Sequence, residues 1–236
     1  MQYKDVLEPL NKQNSLKDKL THCHLVIQKY CPDIARIAIT IYDAETSVLK
    51  TNIHSSGEDD PLSHYQSTLD EAPSLKSILE KGEPRIINKM LTFENTDHEH
   101  TQRIGRQGYA ASYTLPMFHN GNFFGFIFFN SSESDVFTEV ILRQIDIYGH
   151  IISLMVINEL SSIKALTAAV KTTSQITHCR DPETGSHLDR MSRYSRLIAS
   201  VIAKKYDLDD EYIEHIFMFS PLHDIGKISI PDVVLL

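Results

Sequence analysis

The sequence is poor in cysteine and in positive charge, and it has neither an apolar leader nor an uninterrupted apolar run of membrane length. Its three cysteines, Cys23, Cys31 and Cys179, are odd in number and free of any Cys-x-x-Cys pattern. That argues against a disulfide framework or a zinc ribbon and fits a reducing, cytoplasmic compartment. The first residues, MQYKDVLEPLNKQ, hold no apolar core and do not read as a secretory signal. The most apolar stretches are "FFGFIFF" (123–129), which is only strand-length, and 145–160, which carries Asp146, His150 and Glu159. Neither reads as a membrane span. Lys and Arg number 23 against 31 Asp and Glu, a net charge of −8. This argues against a nucleic-acid polymer or an anionic membrane surface as partner, but leaves room for a small anion in a basic or metal-lined pocket. No internal repeats or low-complexity tracts appear.

What is present divides into two patterns over 236 residues, a length natural for two domains. The first pattern mixes helix and strand. A helix is expected over 10–30. "RIAITIYD" (36–43) and "SVLKTNIHSS" (47–56) alternate as strands. Residues 57–73 read as loop, and "SLKSILEKG" (74–82) as a short helix with Ser74 as N-cap and Gly82 as stop. "PRIIN" follows as a brief strand, and a short helix is expected over 99–107. Asn120-Gly121 between two apolar, aromatic-rich runs signals a hairpin. The fold class is therefore α+β: an antiparallel sheet flanked by helices.

From Phe137 the period changes. Ile141, Ile145, Tyr148, Ile152, Val156, Leu160, Ile163, Leu166 and Val170 step by three or four, so one long helix is expected to about residue 177. It either connects the halves of a homodimer or packs on its own domain. Two more helices are expected over 186–205 and 209–222. The domain boundary is placed near residue 160, giving domains 10–160 and 161–236.

The residues that could do chemistry lie in the second part. In "HDIGK" (223–227), His223 and Asp224 stand side by side, expected on the last turn of a helix. Imidazole nitrogen and carboxylate oxygens suit one ion, and the carboxylate can bridge two. Gly226 is expected to let the chain leave the helix sharply, and Lys227 offers a compact cation to a phosphate oxygen. Upstream, Glu183 and His187 are four apart, and Arg190 and Tyr194 follow on the face of His187. This nitrogen–oxygen donor set suits iron or manganese better than a closed thiolate zinc site.

"DPETGSHLDRMSRYSRLIA" with "PLHDIGKISIPD" resembles the HD-GYP branch of the HD metal-dependent phosphohydrolases, over roughly 161–236. The resemblance implies a partial all-α HD bundle and hydrolysis of a cyclic dinucleotide, chiefly cyclic di-GMP, with a di- or tri-nuclear divalent metal centre. By position it makes Glu183, His187, His223 and Asp224 metal ligands. Asp224 and Lys227 are the catalytic pair, with Lys227 and Arg190 toward the substrate phosphate. The implied reaction is metal-assisted attack of water on the phosphodiester, the ions neutralising charge on the phosphorus oxygens. The family's further ligands and its Gly-Tyr-Pro signature lie downstream of His-Asp, whereas only Asp232 follows Lys227 here. The expectation is a shortened catalytic domain, inactive or weakly active by itself. The alternative is a non-catalytic sensor or dimerisation scaffold with a degenerate HD remnant. A nucleotide-directed HD hydrolase fits less well, because such enzymes lack the Glu183-Thr184-Gly185 motif.

Residues 10–160 resemble a GAF domain, carried by "ARIAITIYD" and "SYTLPMFHNGNFFGFIFFNS" before a long helix. The resemblance implies a small-molecule sensor or dimer module of unknown ligand. The cyclic-nucleotide signature of some GAF domains would fall at 130–142. There Asn130 and Phe137 are kept, but Ser131 stands for Lys and Ile141-Leu142 for the acidic pair. "NKMLTFENTDHE" (88–99) holds matching residue types in the wrong place. Among twelve histidines, "DHEH" (97–100) is a dense spot and reads as a solvated loop.

Overall fold

The computed structural model describes residues 5–44, 47–55, 66–89, 108–178, 185–206, 208 and 210–231. The chain forms two compact units, Met1–Asn158 and Glu159–Leu236.

In the first unit, helix α1 (Leu16–Ile27) starts later than the sequence suggests. A separate 3-10 turn holds Glu8–Asn11, and the Ser15 hydroxyl accepts the Asp18 N–H at 3.1 Å as the N-cap. Strands β1 (Ile34–Asp43) and β2 (Val48–His54) form an antiparallel pair. The segment expected as loop contains a short strand, β3 (Gln66–Thr68), paired with Val48–Lys50 at the sheet edge. Helix α2 (Pro73–Lys81) is capped by Ala72, not Ser74. Pro73 has no N–H to satisfy and its fixed φ suits the first helical position, so it sets the start. Gly82 closes the helix at φ 67°. Strands β4 (Arg85–Ile87), β5 (Ala111–His119) and β6 (Asn122–Ser131) complete an antiparallel sheet of order β3-β2-β1-β6-β5-β4. The β5–β6 turn is Asn120-Gly121, with φ of 50° and 79°, the left-handed pair a tight hairpin needs.

The sheet buries two different faces. One carries Ile37, Ile39, Ile127, Phe129, Leu115 and Met117, each at most 7% exposed. Helix α3 (Glu139–His178) lies against this face. A Cβ on Gly149 would stand 2.5 Å from Leu115 Cδ2, so glycine permits the close approach. The other face packs Ala38, Leu49, Phe126 and Phe128 against Leu75 and Ile78 of α2. It also buries Arg36, Thr40, Ser112, Thr114 and Asn130.

Glu139–Val170 is long and apolar enough to cross a membrane by length and composition. Packing accounts for its first half, where Ile145, Ile152 and Val156 are nearly fully buried and Asp146 accepts the Tyr113 hydroxyl. The unit boundary falls inside this helix, after Asn158. Val156 therefore belongs to the core of its own unit, whereas Ile163 and Leu166 are 40% and 44% exposed.

The second unit holds the end of α3, then α4 (Gly185–Tyr206) and α5 (Asp210–Phe219). The Arg196 guanidinium lies 5.2 Å from the centre of the Phe217 ring, and the Ser220 and Ser192 hydroxyls meet at 3.3 Å. Ala199 and Ile213 are buried, while Tyr194, Leu197, Ile198 and Val201 form an open apolar stripe on α4.

Candidate metal centre

Helix α4 begins at Gly185 and carries His187 in its first turn. The His-Asp pair follows the last helix of the unit. Sequence placed it on the last turn of a helix, but α5 ends at Phe219, because Pro221 lacks the N–H the next turn would need. Two 3-10 turns follow, Ser220–Leu222 and Ile225–Ser229, with His223 and Asp224 between them. Gly226 sits inside the second turn without a positive φ, so it is not the expected exit from a helix.

The turns aim the side chains. His223 Nδ1 lies 2.9 Å from the Ser220 carbonyl oxygen and donates its proton there. With the proton on Nδ1, the neutral form of the ring presents Nε2 as an acceptor. Nε2 stands 3.1 Å from Asp224 Oδ2, itself an acceptor. A proton on Nε2 makes this contact a His–Asp hydrogen bond, and without it the two facing acceptors are the donor types that a divalent ion takes. Lys227 Nζ reaches the same Oδ2 at 2.8 Å. The three side chains are about a third exposed, at 33%, 32% and 28%. The rings of His187 and His223 are 6.1 Å apart, centre to centre.

Of the residues expected at the site, the structure brings together His187, His223, Asp224 and Lys227. Arg190 and Tyr194 lie further along α4, exposed. Glu183, Asp232 and the 97–100 histidine cluster lie outside the described residues. Among the described residues no group of three or more His, Cys, Asp or Glu side chains gathers as a metal cluster. His187, His223 and Asp224 offer the nitrogen and oxygen donor types that suit a divalent ion. Sequence reasoning missed Ser220, whose carbonyl orients His223; its signal was the i to i+3 spacing around Pro221.

In structure, the chain is similar to the GAF domain of an Acinetobacter phosphoenolpyruvate-protein phosphotransferase, with a TM-score of 0.50 and 12% identity over 66% of this chain and 91% of that one. It is also similar to the GAF domain of a two-component sensor histidine kinase from Bacillus halodurans, with a TM-score of 0.51 and 13% identity over 61% of this chain and 97% of that one. The N-terminal unit has the GAF fold.

No protein-family model matches the chain. Relatives matched by sequence are phosphodiesterases. The chain is 39% identical over 89 residues to a cyclic di-GMP phosphodiesterase of Vibrio cholerae, covering 33% of this chain and 18% of that protein. It is 42% identical over 73 residues to a probable cyclic di-GMP phosphodiesterase of the same organism, covering 29% and 17%. A 3′3′-cGAMP-specific phosphodiesterase 2 from Vibrio cholerae is 39% identical over 56 residues, covering 24% and 10%. The chain thus spans under a fifth of the length of these relatives. Alongside the GAF unit, the HD-GYP resemblance of the motifs around His187 and His223 has the same kind of relatives that it implied.

Proposed function

We propose that the chain is part of a cytoplasmic signalling protein in which a GAF unit controls a metal-dependent cyclic dinucleotide phosphodiesterase unit, with cyclic di-GMP the preferred substrate. The observation that supports this most is the pairing of His187 with His223-Asp224 from separate elements, with His223 Nδ1 hydrogen-bonded to the Ser220 carbonyl. Glu183, His187, His223 and Asp224 hold the ion, iron or manganese. When bound, the metal supplies an activated water and neutralises charge on the phosphodiester. Asp224 orients His223 and balances the cation. Lys227, anchored on Asp224, presents a positive charge to a phosphate oxygen as substrate enters, and Arg190 adds a second. Ile163 and Leu166 form the dimer seam, and a shift of α3 carries the state of the GAF unit to the metal site.

A second reading, a non-catalytic sensor or dimerisation scaffold, is favoured by the Lys227–Asp224 ion pair, which already occupies one carboxylate oxygen. The two readings separate in a binding experiment. Cyclic di-GMP titrated into manganese-loaded chain should bind, and Lys227→Met should weaken it at least tenfold. No binding by the loaded chain favours the scaffold.

A further inference from the structure

Two side chains meet on Asp224 Oδ2. His223 Nε2 stands 3.1 Å from it and Lys227 Nζ 2.8 Å. The backbone brings the lysine there. Asp224 leads into the 3-10 turn Ile225–Ser229, and the Lys227 N–H donates to the Asp224 carbonyl oxygen at 3.0 Å. In a 3-10 helix residues three apart lie one above the other, so the lysine stem starts over the aspartate. The ammonium can still leave this contact. The Lys227 side chain is 28% exposed and that of Asp224 32%. A Cβ built on Gly226, between them, would meet nothing within 4 Å. The lysine stem is long and flexible, so the charge can move while the turn keeps its backbone.

A divalent ion and an ammonium on the same carboxylate oxygen are like charges side by side. Water and salt screen them only partly in a half-buried site, so each lowers the other's occupancy. Their demands on His223 also differ. Nε2 without a proton offers a lone pair that suits a metal, whereas an ammonium brings three donors and no acceptor. Either cation satisfies the carboxylate, so an exchange between them leaves no anion unpaired. It leaves instead an ammonium without its carboxylate, close to the ion, where a second anion is drawn in. A phosphodiester oxygen is an anion of that kind. Binding linkage then works in both directions. If the ion and Lys227 exclude each other on Asp224, an anion that takes Lys227 tightens the ion, and the ion tightens the anion by the same factor.

We propose that Lys227 gates this site: its ammonium holds Asp224 Oδ2 in exchange with a divalent ion, and on leaving that oxygen it takes the substrate phosphate, so that ion and phosphodiester strengthen each other's binding. The inference rests on the phosphodiesterase reading of the site and adds the coupling between its two ligands. The first probe is Mn²⁺ alone, titrated into the full chain and followed by the electron paramagnetic resonance signal of the unbound ion. Lys227→Met should bind Mn²⁺ at least about fivefold more tightly than the parent, the lower end of the range for such couplings. Lys227→Gln, a second neutral variant, should gain in the same way, and Lys227→Arg, which keeps the charge, should stay near the parent. Lys204→Met removes the same charge from the exposed last turn of α4 and should leave the affinity unchanged. Added cyclic di-GMP should then tighten Mn²⁺ on the parent, and by less on Lys227→Met. A gain in neither neutral variant, or an equal gain in Lys204→Met, would overturn the gate and leave the metal reading standing. So would the same cyclic di-GMP effect on parent and Lys227→Met. Mn²⁺ bound by none of the chains would overturn the metal reading and the gate together.

Discussion

The Tyr113 hydroxyl donates to the Asp146 carboxylate at 2.5 Å, joining the middle of β5 to the first half of α3. Burial, reinforced by that carboxylate, pushes the Tyr113 phenol well above its usual range, so it stays a donor. Tyr113→Phe keeps the ring against Phe129 and Phe137 but strands the carboxylate. The expected loss is about 2 kcal/mol, since hydrogen bonds to charged groups contribute about 1.5–3 kcal/mol. Urea unfolding checks it; an unchanged midpoint would contradict the role given to this bond.

Two glycines should behave in opposite ways. At Gly125, with φ 157°, a Cβ would stand 2.1 Å from the Thr40 carbonyl oxygen, which is backbone and cannot step aside. Gly125→Ala should cost about 3 kcal/mol or more. Gly226 has nothing within 4 Å of a built Cβ and no positive φ. Gly226→Ala should leave the midpoint within about 0.5 kcal/mol of the parent. Equal effects at the two positions would contradict the backbone described.

The thiol of Cys23 is 0% exposed, and burial raises its pKa from 9.0 to about 11. The folded state favours the protonated thiol, so its contribution to stability is complete below pH 9 and is lost as pH rises from 9 toward 11. Cys23→Ala should flatten the fall in stability across that window. In the parent chain at pH 8 the Cys23 thiol should resist a disulfide reagent until the protein unfolds. Rapid labelling of Cys23 in folded protein would show that the site is not closed.

Helix α3 offers two kinds of apolar residue. Val156 is 1% exposed inside the first unit, so Val156→Lys buries a charge and should cost the fold, about 3 kcal/mol or more. Ile163 and Leu166 are far more open. Their joint change to Lys should halve the sedimenting mass and leave the melting midpoint nearly unchanged. A mass that stays the same would contradict the proposed dimer seam.

Much of this fold is legible in the sequence, and the exceptions have physical causes. The β-branched run at 34–43, the Asn120-Gly121 turn and the step-of-three-or-four pattern after Phe137 each carry a strong local signal. Gln66–Thr68 is polar and only three residues long, so its strand comes from edge pairing alone. Ser74 is a good cap by type, but Pro73 starts the helix before it. Periodicity marks Val156 and Ile163 alike, because an apolar stripe does not say whether its own unit or a partner covers it. His187 and His223 are visible as motifs, but the Ser220 carbonyl that orients His223 appears only once Pro221 has broken the helix. The buried polar face was hidden because Thr and Arg at alternate strand positions look like an ordinary solvated side.

His187, His223 and Asp224, with Glu183, are proposed to form a divalent-metal centre. The direct measurement is bound metal per chain by elemental mass spectrometry on anaerobically purified protein, with His223→Ala and Ser220→Ala beside it. The expected result is near-stoichiometric iron or manganese in the parent, loss in His223→Ala, and retention in Ser220→Ala, which keeps the orienting carbonyl. No metal in the parent, or metal that His223→Ala retains, would contradict it.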